Sequence, residues 1–210
     1  MAAKVNEASQ QKGPAADKRT LILDSAFDLF RHYGYRRTSM EDIAQAANVA
    51  KGTLYLYFKS KDELFEALAR QLGERIEANL KAAATRDTGA EDKIFALLDA
   101  KLGFIYRWVL SSPHAAEFID SKHKLSGDVF EPVDRSFRSA LAKALKEGVR
   151  WGEFDPKAAG FSLDAAVDTL VAAAHGAEWG ARDEADFRDR LQRIVRLALR
   201  GLRPLPRERK

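Results

Sequence analysis

The chain contains no cysteine, so disulfide bonds and thiolate metal sites are closed to it, and a reducing, cytoplasmic setting is expected. No apolar run approaches the roughly 20 residues of a membrane span, so no membrane partner is expected. The N-terminal stretch MAAKVNEASQQKGPAADKR lacks the apolar centre of a signal peptide. Nowhere do apolar and polar residues alternate as a half-buried strand requires. There is no glycine-rich phosphate loop, and no nucleophile stands beside a base in a recognisable motif. These absences point away from an enzyme, and no cofactor is expected.

What the chain does have is charge at its ends. Residues 1–60 carry nine Lys and Arg against six Asp and Glu, while residues 61–202 carry twenty-two against twenty-four. The tail, residues 203–210, has four basic residues and one acidic. A basic N-terminal region beside a near-neutral body suits nucleic acid at that end. The basic tail reads more simply as a solvated terminus. Residues 1–17 read as a disordered arm, with Gly13-Pro14 breaking any helix. Its Lys4 and Lys12, with Lys18 and Arg19, also suit a minor groove.

The richest stretch is TSMEDIAQAANVAKGTLYLYFKSKDEL, residues 38–64. Ser39 is placed to N-cap a helix, with Asp42 three residues on completing a capping-box variant. Asn48 falls where the chain must turn, and asparagine tolerates a left-handed backbone better than other non-glycine residues. A second short helix is expected over residues 50–58, with Leu54 and Phe58 on its inward face. That leaves Lys51, Gly52, Thr53, Tyr55 and Tyr57 largely outward: a cation, close backbone access, a hydroxyl and two phenols, suited to phosphates and base edges. Ser60 to Glu63 forms a second capping box, which sets Lys61 at the rim of this surface.

These residues resemble the DNA-binding domain of the tetracycline-repressor (TetR-like) family. The match runs from Arg19 to about Leu68 through Ile22-Leu23, Ala26-Phe27, Gly34-Tyr35, Thr38-Ser39, Ile43-Ala44, Lys51-Gly52-Thr53-Leu54-Tyr55, Tyr57-Phe58 and Ser60-Lys61. Two positions depart from the family pattern. Asn48 stands where glycine is usual. Ala50 stands where Ser or Thr is frequent, which removes a side-chain cap worth about 1 kcal/mol. The resemblance implies DNA contacts at Thr38, Ser39, Lys51, Gly52, Thr53, Tyr55, Tyr57 and Lys61.

The expected architecture is all-α, with about nine helices. Residues 18–60 form a three-helix helix-turn-helix head, and residues 61–202 a larger helical bundle. Leu64, Leu68, Leu72, Ile76 and Leu80 recur at every fourth position, a one-sided stripe able to join head and body. A helix over residues 90–110 is apolar all round after Lys101, as a central helix would be. Thr88 with Glu91 is expected to cap it. Ser126 is placed to start a helix reaching residue 148 or 151, and Asp155-Pro156 one running towards residue 180. Asp183 with Asp186 is expected to cap the last helix.

In the body, His114, Glu117, Asp120 and His123 are possible metal ligands, but steps of three drift about 60° backward on a helix. A solvated polar face accounts for them better, and no metal is expected. Phe104, Trp108, Phe118, Phe137 and His175 are the candidate pocket lining, since the resemblance implies an effector pocket among the fifth to eighth helices. Aromatic lining suits a flat or apolar organic molecule. The alanine-rich eighth helix and the apolar ninth permit burial either within the subunit or against another. The resemblance implies a dimer seam, with Ala173, His175, Trp179, Ile194, Val195 and Ala198 in it. The function expected is a homodimeric transcriptional regulator, a repressor that binds a palindromic operator in double-stranded DNA and is released by a small organic effector. A body that docks a protein partner instead is the competing reading.

Overall fold

The computed structural model describes residues 14–125 and 127–204, and side chains within them except at 14–17 and 121–128. Lys4, Lys12, Ser126, the side chain of His123 and tail residues 205–210 therefore lie outside the described residues. Nine α-helices and no strands make up the described chain, joined by π- and 3₁₀-turns.

Helix α1 (Pro14–Tyr33) opens at Pro14, ahead of the expected residue 18, because the fixed φ of proline suits a first helical turn. Its buried face is Ile22, Leu23, Ala26, Phe27 and Phe30, and it stops at Gly34, whose φ is +88°. Helices α2 (Met40–Ala46) and α3 (Lys51–Tyr57) form the helix-turn-helix. Ser39 Oγ accepts from Asp42 N at 3.1 Å while Asp42 Oδ2 accepts from Ser39 N at 2.8 Å, the reciprocal cap read from the sequence. Asn48 takes the left-handed turn position at φ 51°, and Ala50 gives α3 no side-chain cap.

Helix α4 (Lys61–Ala84), about 36 Å long at 1.5 Å per residue, buries Leu64, Leu68, Leu72, Ile76 and Leu80. It packs on α1 at the head end and on α5 and α7 in the body. Helix α5 (Ala90–Leu98) is capped by Gly89 without a side-chain bond, rather than by Thr88. It continues through two π-turns, Asp99–Gly103 and Tyr106–Leu110, an uncommon geometry that periodicity in an apolar segment does not announce. Helix α6 (Ala115–Leu125) and a 3₁₀-turn at Gly127–Phe130 lead to α7 (Glu131–Arg150).

Asp155-Pro156 opens only turns. Gly160, at φ +82°, breaks them, and Ser162 instead N-caps α8 (Leu163–His175). Asp183 caps α9 (Glu184–Arg200), accepting from Asp186 N at 2.8 Å. Asp186 in turn accepts from Arg182 N at 3.1 Å and Arg190 Nε at 3.2 Å, and these bonds lower its pKa from 3.8 to about 2. A depressed folded-state pKa adds stability above the ordinary value, and that stability is lost as pH falls through the folded one. Asp186→Asn is therefore expected to melt lower than the parent near neutrality. The two melting curves should converge between pH 4 and about 2; a gap that persists at pH 2 would assign the effect to packing.

Candidate nucleic-acid interface

The head presents α3 outward. Leu54 and Phe58 are buried, whereas Lys51, Gly52 and Tyr55 are exposed and Thr53 is half-buried. No atom lies within 4 Å of the place a Gly52 Cβ would occupy, so the backbone there is open to a partner. Tyr57 is half-buried against the core. Leu56 is 86% exposed on the same helix and was not singled out in the sequence. An apolar side chain on a recognition surface can meet a thymine methyl, so Leu56 joins Thr53 and Tyr55 as a candidate base reader.

Three of the expected contact residues have partners within the head. Thr38 is 3% exposed and its hydroxyl donates to Gly34 O at 2.8 Å, so it closes the α1–α2 turn. Lys61 Nζ donates to Tyr35 O at 2.8 Å and Thr38 O at 2.9 Å and lies 4.4 Å from the centre of the Tyr35 ring. Its ammonium is spent inside the head rather than held at the rim. Ser39 Oγ is committed to Asp42, both accepting from its amide and donating to its carboxylate at 2.7 Å. Lys51 remains outward but pairs with Glu41. That contact lowers the Glu41 pKa and raises that of Lys51, and both side chains are more than half exposed. Phosphate can replace such an exposed carboxylate at little cost.

Other cations on this side of the head lack such partners. Arg36 and Arg37 in the α1–α2 turn and Lys59 after α3 are exposed, and no side-chain hydrogen bond or ion pair holds them among the described residues. They are the candidate phosphate ligands that the sequence reading missed. Replacing Arg36 and Arg37 together by alanine should flatten the slope of log affinity against log salt by about two units. An unchanged slope would remove both from the interface.

The body residues separate into groups. Phe104, Phe118 and Phe137 are buried and Trp108 is half-buried. Trp108 and Phe118 converge on Phe27 of α1, at centroid distances of 6.0 and 6.1 Å, and Phe104 lies 6.1 Å from Trp108. Phe137 sits apart, under Lys101 at 4.5 Å. His175 is on the surface, 3.1 Å from Glu178. Trp108 and Phe118 thus join head to body with Phe104 behind Trp108, while Phe137 and His175 have other neighbours. His114 and Glu117 press on the α1–α2 turn, where a Gly34 Cβ would stand 2.3 Å from Glu117 Oε2. Among the described residues no three acidic or histidine side chains gather as a metal would need. No described helix is long and apolar enough to cross a membrane.

Known proteins share this arrangement. Residues 22–68, the span from the buried face of α1 into α4, match the pattern of bacterial regulatory proteins of the tetR family. The HTH-type transcriptional regulator RutR of Escherichia coli (strain K12) is 30% identical over 203 residues, covering 89% of this chain and 91% of the relative. A fatty acid metabolism regulator protein of Bacillus subtilis (strain 168) is 39% identical over 154 residues, covering 69% of this chain and 73% of the relative. The solved structure of a TetR/AcrR-family transcriptional regulator from Thermobifida fusca YX-ER1 superposes with a TM-score of 0.66 at 27% identity, covering 90% of this chain and all of that one. The likeness to RutR extends through both head and body, so the shared helix-turn-helix is not a borrowed motif on an unrelated scaffold. The chain belongs to the tetR family of bacterial regulatory proteins and is a DNA-binding transcriptional regulator.

Proposed function

We propose that the protein is a homodimeric repressor that grips a palindromic operator and is released by a small organic effector. The observation that carries the dimer is the face of α8 and α9. Ala165, Thr169, Ala172 and Gly176 make a stripe of small residues, only partly covered or open. Beside it Trp179 is 83% and Leu197 72% exposed, with Ile194 and Ala198 half-buried between. Small residues let a second helix approach closely, and a two-fold copy of this face would cover both large side chains. Ala173 is half-buried and His175 exposed at its margin. Val195 is 2% exposed within the subunit and belongs to the core rather than to the seam. Such a dimer would hold two copies of α3 for successive major grooves about 34 Å apart.

Effector release is supported by the link between body and head. Ligand can shift the DNA-competent arrangement only by preferring another one. A body cleft between α4, α5 and α7, of about 270 Å³, is lined by Lys93, Leu97, Ser136 and Glu147 among others. It is smaller than the roughly 300–1,000 Å³ of usual ligand pockets, so occupancy would require the body to rearrange. The relative named for fatty acid metabolism makes fatty acids the first class to try.

The test is a binding-site selection followed by sedimentation and anisotropy with dodecanoate as probe. A palindromic motif, a dimer at micromolar concentration and dodecanoate-dependent release are expected. A monomer bound to a single half-site would overturn the dimer. Release by no member of an organic-acid panel would leave the protein-docking body as the better reading.

A further inference from the structure

Helix α5 carries a second feature that this function does not yet use. Its second π-turn, Tyr106–Leu110, faces two different bodies at once. Towards α9, the Tyr106 ring stacks on Phe187 at 4.4 Å and 12°, and its hydroxyl donates to Ala181 O at 3.1 Å. Arg107 Nε donates to Glu184 Oε1 at 2.5 Å on the same side. Towards the head, Trp108 meets Phe27, and the Arg31 guanidinium of α1 lies over both rings, 5.5 Å from Trp108 and 5.7 Å from Phe27. Ser112, just past the turn, donates to Arg31 O at 2.6 Å.

Arg31 is held in an unusual way. Its Nε is buried and has no hydrogen-bond partner among the described residues, and its guanidinium makes no ion pair there. An arginine confined by two aromatic faces is fixed by shape and by the ring quadrupoles, not by a carboxylate it can exchange for another. That arrangement tolerates little lateral movement of α1 over the π-turn. A π-turn, in turn, is a rare break in the α-helical bonding pattern, found frequently at functional sites. Here it aims Tyr106 at the helix that carries Leu197 and Trp108 at the helix that opens the DNA-binding head.

We propose that the π-turn Tyr106–Leu110 relays position between the α8–α9 face and the head, with Arg31 as the positioning residue that clamps α1 to Trp108. This rests on the dimer reading above, because only a seam gives α9 a position worth transmitting. The relay runs beside α4 rather than through it: the α4 stripe sets the distance of the head from the body, Phe118 and Glu117 of α6 brace α1 and the turn after it, and the clamp sets the angle of the head. A change of register in the π-turn would turn Trp108 away from Arg31 without unfolding either helix.

The absence of cysteine makes the test direct. Asp28, exposed on α1, is replaced by cysteine in the full chain and spin-labelled, and the head-to-head distance is measured by pulsed dipolar spectroscopy. Wild type should give one narrow distribution. Arg31→Met and Trp108→Leu should broaden it and weaken binding to the two-half-site operator about tenfold, whereas binding to a half-site stays unchanged. Trp108→Phe keeps an aromatic face and should restore the narrow distribution. Should Trp108→Leu not fold, Arg31→Met carries the test, since it keeps the bulk of the stem and removes the cation. An unchanged distribution with operator affinity within about twofold of wild type would overturn the relay alone. So would an equal loss on half-site and operator, which would mean that the clamp stabilises the head rather than aims it. No dipolar signal in the wild type would sink the dimer and the relay together.

Discussion

Leu197→Arg is expected to turn the dimer into a folded monomer and to lower operator affinity by about a hundredfold or more. Leu197 is 72% exposed in the subunit, so an arginine there meets water in the monomer and disturbs no core contact. In a two-fold seam the same arginine would face its copy or the apolar partner surface, and stranding an unpaired ion there costs several kcal/mol. Ala172→Glu, on the exposed face of α8, should act in the same way. Val195→Arg would not separate the two effects, because Val195 is buried and its replacement would unfold the bundle before it split a dimer. The operator loss follows from geometry: one head binding alone forfeits the effective concentration that the first head provides for the second. Sedimentation and circular dichroism decide the case. A Leu197→Arg variant that still sediments as a dimer and binds the operator normally would move the interface away from α8 and α9.

The parts of this design that the sequence displayed are those written within four or five residues. The Ser39–Asp42 cap, the left-handed Asn48 and the Asp183 cap each depend on side chains beside the backbone they serve. The α4 stripe was equally plain, because five positions from Leu64 to Leu80 repeat one spacing. Features that failed to show depend on partners far along the chain. Lys61 looked like a rim cation until Tyr35 and Thr38 were brought beneath it from 26 and 23 residues away. Thr38 looked like a hydroxyl for phosphate until the turn closed over it. Val195 was expected in the seam but is buried within the subunit, because the amphipathic pattern of α9 gives an apolar stripe but not what covers it. Asp155-Pro156 resembled a helix start, yet the positive φ at Gly160 and the cap at Ser162 placed the start seven residues later, at Leu163. Aromatic residues in α5 and α6 read as pocket lining because composition cannot distinguish rings facing a cavity from rings facing Phe27. The π-turns gave no clear sequence signal, since a segment with only Arg107 charged between Leu102 and Leu110 offers little phase to read.

Lys61→Met is expected to lower the stability of the head by about 2 kcal/mol and to weaken binding to every DNA sequence alike. The size comes from comparing the two lysines of the helix-turn-helix. Lys51 pairs with Glu41 between side chains more than half exposed, and pairs of that kind contribute about 0–1 kcal/mol and are screened by salt. Lys61 is half-buried and makes charge-assisted bonds to two backbone carbonyls, with an aromatic face 4.4 Å away. The Tyr35 hydroxyl meanwhile donates to Asp62, so the first two residues of α4 both hold the α1–α2 turn. Burial and the neighbouring Asp62 carboxylate raise the Tyr35 pKa above its ordinary value, which keeps that donor protonated throughout the range of DNA binding. Methionine retains the length of the stem but no donor, leaving the carbonyls of Tyr35 and Thr38 without their partner. The turn that carries Arg36 and Arg37 and precedes the α2 cap would then loosen against α4. Fewer molecules would hold the head in its competent shape, and affinity would fall uniformly across sequences while the salt slope stayed as in the parent. Thermal melting and a salt titration of the same variant separate the roles. Unchanged melting with a slope shallower by about one unit would return Lys61 to the phosphate backbone.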